Sequence, residues 1–139
     1  DKEQVRDVLY GVYCGGGRPG SRCVKKGDWK LTQYEVAKTG VKHVQLFNLK
    51  ENPHEFIREH HDPKVAAMTG VKPTKNQVNL AKDPKYAFKL KEMEALLLSE
   101  MRRFDDPYRF WNQPDDGLET PIIKERIKKP KKPRKPKQK

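Results

Sequence analysis

The sequence predicts an α+β fold: a four-stranded antiparallel sheet packed against a long C-terminal helix, followed by a disordered basic tail. Three observations predict it. Short runs rich in β-branched and aromatic residues, punctuated by glycine, occupy residues 7–49. Patterns that open on a capping residue and a proline occupy residues 52–104, the last of them with a long apolar stripe. The segment 124–139, KERIKKPKKPRKPKQK, has Ile127 as its single apolar side chain. The chain divides accordingly into a folded unit at 1–106, an aromatic and proline-rich extension at 107–123, and the tail at 124–139.

Residues 7–13 (DVLYGVY) suit a pleated surface and give the first strand. Gly15-Gly16-Gly17-Arg18-Pro19-Gly20 follows, a loop whose glycines permit unusual backbone angles. Residues 22–26 give the second strand. Gly27-Asp28 turns the chain tightly into the third, Trp29 to Tyr34, where Trp29, Leu31 and Gln33 alternate with Lys30, Thr32 and Tyr34. The fourth, His43 to Leu49, directs Val44, Leu46 and Asn48 one way and Gln45 and Phe47 the other. Asn52-Pro53-His54-Glu55 has the form of a capping box and predicts a short helix from Pro53 to about His60. Asp62-Pro63 repeats the start signal, and Gly70 can close that helix. Asp83-Pro84 opens the longest helix, near Pro84 to Phe104. Its Tyr86, Leu90, Met93, Leu97, Met101 and Phe104 recur every three or four residues and form one apolar stripe. Tyr108-Arg109-Phe110-Trp111 then pins the chain to the body. One helix covers one face of the sheet. Val24, Tyr13, Leu31 and Phe47 cannot all point at it, so the other face is either wet or packed on a further partner.

The chain has 139 residues and a formal net charge of +12. Ten of its 31 Lys and Arg and one of its 19 Asp and Glu lie in residues 124–139, a local net of +9 that leaves +3 for residues 1–123. Prolines 130, 133 and 136 and like-charge repulsion oppose any helix or core there. The tail reads either as an electrostatic anchor to nucleic acid or another polyanion, or as a solvated extension. No apolar run approaches the roughly 18 residues of a membrane span. The given sequence opens at Asp1 without a basic, apolar leader, so any signal peptide is expected upstream or not at all.

The chemistry-bearing candidates are few. Cys14 and Cys23 are too few for a disulfide scaffold or a four-cysteine zinc site, and can be a bridged pair or small buried hydrophobes. Cys14-Gly-Gly-Gly-Arg18-Pro19-Gly20-Ser21-Arg22 lacks both the Lys-Ser/Thr of a phosphate-binding loop and the arginine register of a phosphatase cysteine. The loop presents Arg18 or Arg22 to an anion, or merely joins two strands. His54, His60 and His61 cluster with acidic residues, but Arg58 stands where a His-Glu-x-x-His motif would need its second histidine, so no metal is assigned. Trp29 beside Lys25, Lys26 and Lys30 is a thin platform for stacking a nucleic-acid base.

One resemblance joins these pieces. The order runs Arg22-Cys23-Val24-Lys25-Lys26-Gly27-Asp28-Trp29-Lys30-Leu31, then Leu46-Phe47-Asn48-Leu49-Lys50-Glu51-Asn52-Pro53-His54-Glu55, then Asn79-Leu80-Ala81, then a helix from Asp83-Pro84. Over about residues 8–104 it resembles the C-terminal subdomain of the sulfatases, the sulfuric-ester hydrolases of the alkaline-phosphatase superfamily. Lys25 stands where that family has Arg, the connection between Glu55 and Asn79 is longer, and the tail lies outside the pattern. The resemblance implies an N-terminal catalytic domain as partner. That domain carries the Cys/Ser-x-Pro-x-Arg motif, whose Cys or Ser becomes formylglycine, and the calcium ligands. No residue here matches either, so no catalytic or metal residue is carried over. It also implies a sulfated substrate, a carbohydrate among the candidates, with Arg18 and Arg22 on the cleft border, and a periplasmic or secreted location. The competing expectation is a non-enzymatic module held to polyanions by its tail. On that expectation the full chain's affinity for an oligonucleotide falls steeply with salt, and deleting residues 124–139 abolishes binding in the same titration.

Overall fold

The computed structural model describes residues 6–13, 20–36, 39–60, 62–70 and 74–114. The expectations for Cys14, for the loop from Gly15 to Pro19 with Arg18, for His61 and for the tail fall outside them.

Four strands form one antiparallel sheet in sequence order: β1 (Val8–Tyr13), β2 (Ser21–Lys26), β3 (Trp29–Val36) and β4 (Val41–Asn48). Gly27, at φ 55°, makes the two-residue turn between β2 and β3, the left-handed geometry that such hairpins require. The register places Tyr10, Val24, Leu31 and Leu46 side by side across the four strands, so they share a face. Helix α2 (Ala87–Arg103) lies on that face, with Met93, Leu97 and Met101 buried against Val24, Leu31 and Leu46. Tyr86 and Leu90 flank this core, as the stripe predicts. Phe104, the last residue of the stripe, is exposed but stacks on Tyr10 at 5.5 Å.

Helix ends follow their local chemistry. The Asp83 side chain accepts from the Lys85 backbone N–H at 2.9 Å and opens a 3-10 turn, Pro84–Tyr86, that feeds α2. At the other end Asp105 turns left-handed, at φ 50°. Its N–H bonds the Arg102 carbonyl at 3.1 Å, and the Asp106 N–H bonds the Met101 carbonyl at 2.8 Å. That pair of bonds is the Schellman termination, here with aspartate where glycine is the usual residue. The shorter helix α1 (Pro63–Thr69) has Asp62 as its cap and left-handed Gly70 after it.

The helix expected from Pro53 to His60 does not form. Glu55 is left-handed at φ 57°, which interrupts any helix, and its carboxylate reaches Lys30 Nζ at 2.7 Å instead of folding back on the cap. Asn52 closes a loop by accepting from the Phe56 N–H at 3.1 Å and donating to the Phe56 carbonyl at 2.8 Å. A single 3-10 turn, Arg58–His60, remains. This loop shields part of the second face of the sheet. Lys30 neighbours Phe47 in the register, and Phe47 is only 2% exposed although it points away from α2. Elsewhere on that face, among the described residues, Leu9, Tyr13 and His43 are exposed, while Cys23, Lys25, Thr32 and Gln45 between them are half-buried.

Leu97→Ala should therefore lower unfolding free energy by about 2–5 kcal/mol, because it empties a site between helix and sheet. Phe88→Ala, on the solvent side of α2 at 83% exposure, should change it by no more than about 0.5 kcal/mol. Urea unfolding of both variants checks the orientation of the helix.

Candidate functional site

The polar chemistry gathers where the end of α2 meets the sheet. Arg22 lies on β2, on the helix side, in a row with Val12, Gln33 and Val44. A guanidinium at a core position has to be paired. Asp106, delivered by the helix termination, is the partner. Arg22 Nε donates to one Asp106 oxygen and Nη2 to the other, each at 2.8 Å, and the Tyr10 hydroxyl donates to the same carboxylate at 2.5 Å. The pair is two-pronged and buried, the geometry in which an arginine–carboxylate contact is strongest. The Tyr108 N–H adds a further bond to Asp106 at 2.9 Å, and the Tyr108 ring centroid lies 4.3 Å from the guanidinium carbon.

The following residues are stitched across the sheet. The Tyr108 hydroxyl donates to Glu35 at 2.9 Å, and Arg109 Nη1 donates to the Asp106 and Tyr108 carbonyls at 2.8 Å. The Gln33 amide donates to Asn112, whose own amide donates to Glu94 on α2 at 2.9 Å. Phe110 inserts into the core. The aromatic run thus pins the extension to the body, as expected from its sequence.

Burial would raise the Asp106 pKa, but the bonds from Arg22, Tyr10 and the Tyr108 backbone, with the Arg22 charge, outweigh it and hold the carboxyl at about 2. Burial first, and then the Asp106 carboxylate, push the Tyr10 phenol well above its ordinary range, so Tyr10 remains a donor at neutral pH.

This cluster braces the exit of the Gly-rich loop. Gly20 is buried at the start of β2, and a Cβ placed on it would stand 2.1 Å from Arg22 Nη1 and 2.9 Å from the Tyr108 ring. Only glycine lets the backbone approach the Arg22–Tyr108 stack so closely. Arg22, expected on the border of an anion site, is instead 4% exposed and held by Asp106. An anion would have to displace a carboxylate already bound by two donors. Among the described residues Arg22 is a buried clasp beneath Gly20, not a surface contact, and Arg18 lies outside them.

The other candidates disperse. Cys23 is a free thiol on the open face, beneath Gly11, where an added Cβ would meet its sulfur at 2.8 Å. His54 lies against Phe56, with ring centroids 5.5 Å apart and the planes tilted by 31°. Among the described residues no three His, Cys, Asp or Glu side chains converge to hold a metal ion. Trp29 packs against Tyr86 at 5.8 Å and has the Lys89 ammonium 5.5 Å from its ring, so the start of α2 occupies the platform considered for a base. Sequence reasoning passed over Asp106 and Tyr10, and gave Tyr108 a pinning role without its stack on Arg22. The Asp-Pro pair after the helix marks a chain turn, but nothing local links it to an arginine 84 residues earlier.

A scan against models of known protein families finds no match to this chain, and a search of curated protein sequences finds none either.

The folded carboxyl of Asp106 titrates below its unfolded counterpart. Its contribution is therefore complete above about pH 4 and is lost as the pH falls toward 2, on the order of 2 kcal/mol in all. In urea unfolding from pH 6 to pH 2.5, wild type should lose most of this increment, and Asp106→Asn should lack it at every pH. Parallel pH profiles for the two proteins would contradict the assignment.

Proposed function

We propose that this chain is the C-terminal subdomain of a sulfatase, a part that completes the fold and borders the substrate cleft while a larger domain supplies the nucleophile. The observation that carries the reading is how the resembling residues interlock. Lys30, from the Trp-Lys-Leu segment, pairs with Glu55, from the Asn-Pro-His-Glu segment, at 2.7 Å. Asn52 of that second segment closes its own loop on Phe56. Asn79, from Asn-Leu-Ala, accepts from the Leu46 N–H at 3.0 Å and donates to the Val44 carbonyl at 2.9 Å, so it binds the backbone of β4. Three segments distant in sequence share one hydrogen-bonded frame, a physical reason for these residue types to occur together and in this order.

Two further features support the reading. The open part of the second face gives a larger domain a place to rest. The braced base at Gly20 fixes where the Gly-rich loop enters β2, which suits a loop that contacts substrate from the cleft border. Formylglycine and calcium belong to the larger domain on this reading, and this segment alone is inactive.

The test has two arms. Reading the coding sequence upstream of Asp1 should reveal a Cys/Ser-x-Pro-x-Arg motif; an upstream frame without one sinks the proposal. The intact protein, produced with formylglycine conversion, should release sulfate from an aryl sulfate or a sulfated sugar. Arg18→Ala should lower its kcat/KM at least about tenfold if Arg18 touches the anion, since a lost contact must appear in that ratio.

A further inference from the structure

The two edges of the sheet are treated differently. Strand β4 is closed at its outer edge by Asn79, whose amide bonds the Leu46 N–H and the Val44 carbonyl as a neighbouring strand would. Strand β1 has β2 on one side, and among the described residues no strand or side-chain amide occupies the other. Half of its backbone N–H and C=O groups point outward along that edge. Natural edges are commonly blunted by lysine, proline or a bulge, and Val8 to Tyr13 has none of these. Leu9, Val12 and Tyr13 are instead 49%, 52% and 62% exposed.

We propose that β1 pairs antiparallel with β1 of a second copy of this chain across a two-fold axis at Gly11, joining two sheets into one of eight strands. The sequence of β1 is complementary to itself in that register. A two-fold axis normal to the sheet keeps each face on its own side, so only residues of like parity meet. Centring on Gly11 sets Leu9 opposite Tyr13 of the other copy on the open face, and Tyr10 opposite Val12 on the helix face. Every exposed apolar side chain of the strand gains an apolar partner, twice over. At the centre Gly11 meets Gly11, with no side chains to collide. Residues 8–13 carry no charge, so the seam sets no like charges opposite one another, although the net charge of +12 on each copy opposes association and makes it tighten with added salt.

The test uses the full chain in sedimentation velocity and equilibrium. Wild type should be a dimer at concentrations on the order of 100 μM and dissociate on dilution. Leu9→Lys should raise the dimer dissociation constant at least about tenfold by setting a lysine against Tyr13. Val41→Lys, on the opposite edge strand, should leave it unchanged. The double variant Leu9→Lys/Tyr13→Glu places Lys opposite Glu at both ends of the seam and should restore association, which separates the register from any general effect of charge. Circular dichroism should show every variant folded, since each position is exposed. A wild-type monomer at the highest concentration, an association indifferent to Leu9→Lys, or a double variant that stays monomeric overturns the proposal.

Discussion

The structure depends on one buried ion pair. Arg22 and Asp106 lie 84 positions apart in sequence and meet at 2.8 Å on both prongs, under the helix and out of water. Desolvating two charges costs several kcal/mol each, so the contact is tolerable only with all its supports in place. Tyr10 and the Tyr108 backbone supply bonds to the carboxylate, and the Tyr108 ring covers the guanidinium. The pair therefore does more than hold two residues. It ties three strands, the end of α2 and the extension into one arrangement, and a slip of any of them leaves a charge stranded.

Several local choices make sense as consequences. Asp105 takes a left-handed conformation that suits glycine better, because the Schellman turn it completes aims Asp106 back at the sheet. Gly20 is glycine because the guanidinium and the Tyr108 ring fill the space where a Cβ would stand. The proposed role at a substrate cleft rests on that base. A loop that contacts substrate has to be held at its ends even if its tip adapts, and the brace at Gly20 is such a hold. Function then divides across the sheet. One face is used up by the helix and its polar clasp; on the proposed reading the other receives a larger partner and the β1 edge a second copy.

The fold class was legible because its signals are local. Strand alternation, the Gly27 turn, the Asp-Pro start of α1, the Asp-Pro 3-10 turn leading into α2 and the apolar stripe each operate within a few residues. Strand parity separated Phe47 from Leu46, and the structure assigns Leu46 to the α2 side and Phe47 to the other. The misreading at Pro53 to His60 has a physical source. The capping-box residues are present, but Lys30 on β3 takes the Glu55 carboxylate that would have closed the box, and Glu55 turns left-handed. A contact between residues 25 apart overrode a local preference. Arg22 was misplaced for the same reason. From sequence an arginine beside a glycine loop suggests an exposed anion contact, and only the fold shows it beneath the helix with Asp106. Asp106 itself gave no sign, because an Asp-Pro pair just past a helix ordinarily marks a turn.

A double-mutant cycle on Arg22→Met and Asp106→Leu, followed by urea unfolding at pH 7, tests the clasp most directly. If the pair organises the fold, each single variant leaves a buried charge unpaired and loses about 3–5 kcal/mol. The double variant then loses much less than the sum, with a coupling energy on the order of 2 kcal/mol or more. Additive losses would contradict the account, because they would mean that the two side chains stabilise the protein independently and that the clasp between helix end and sheet lies elsewhere.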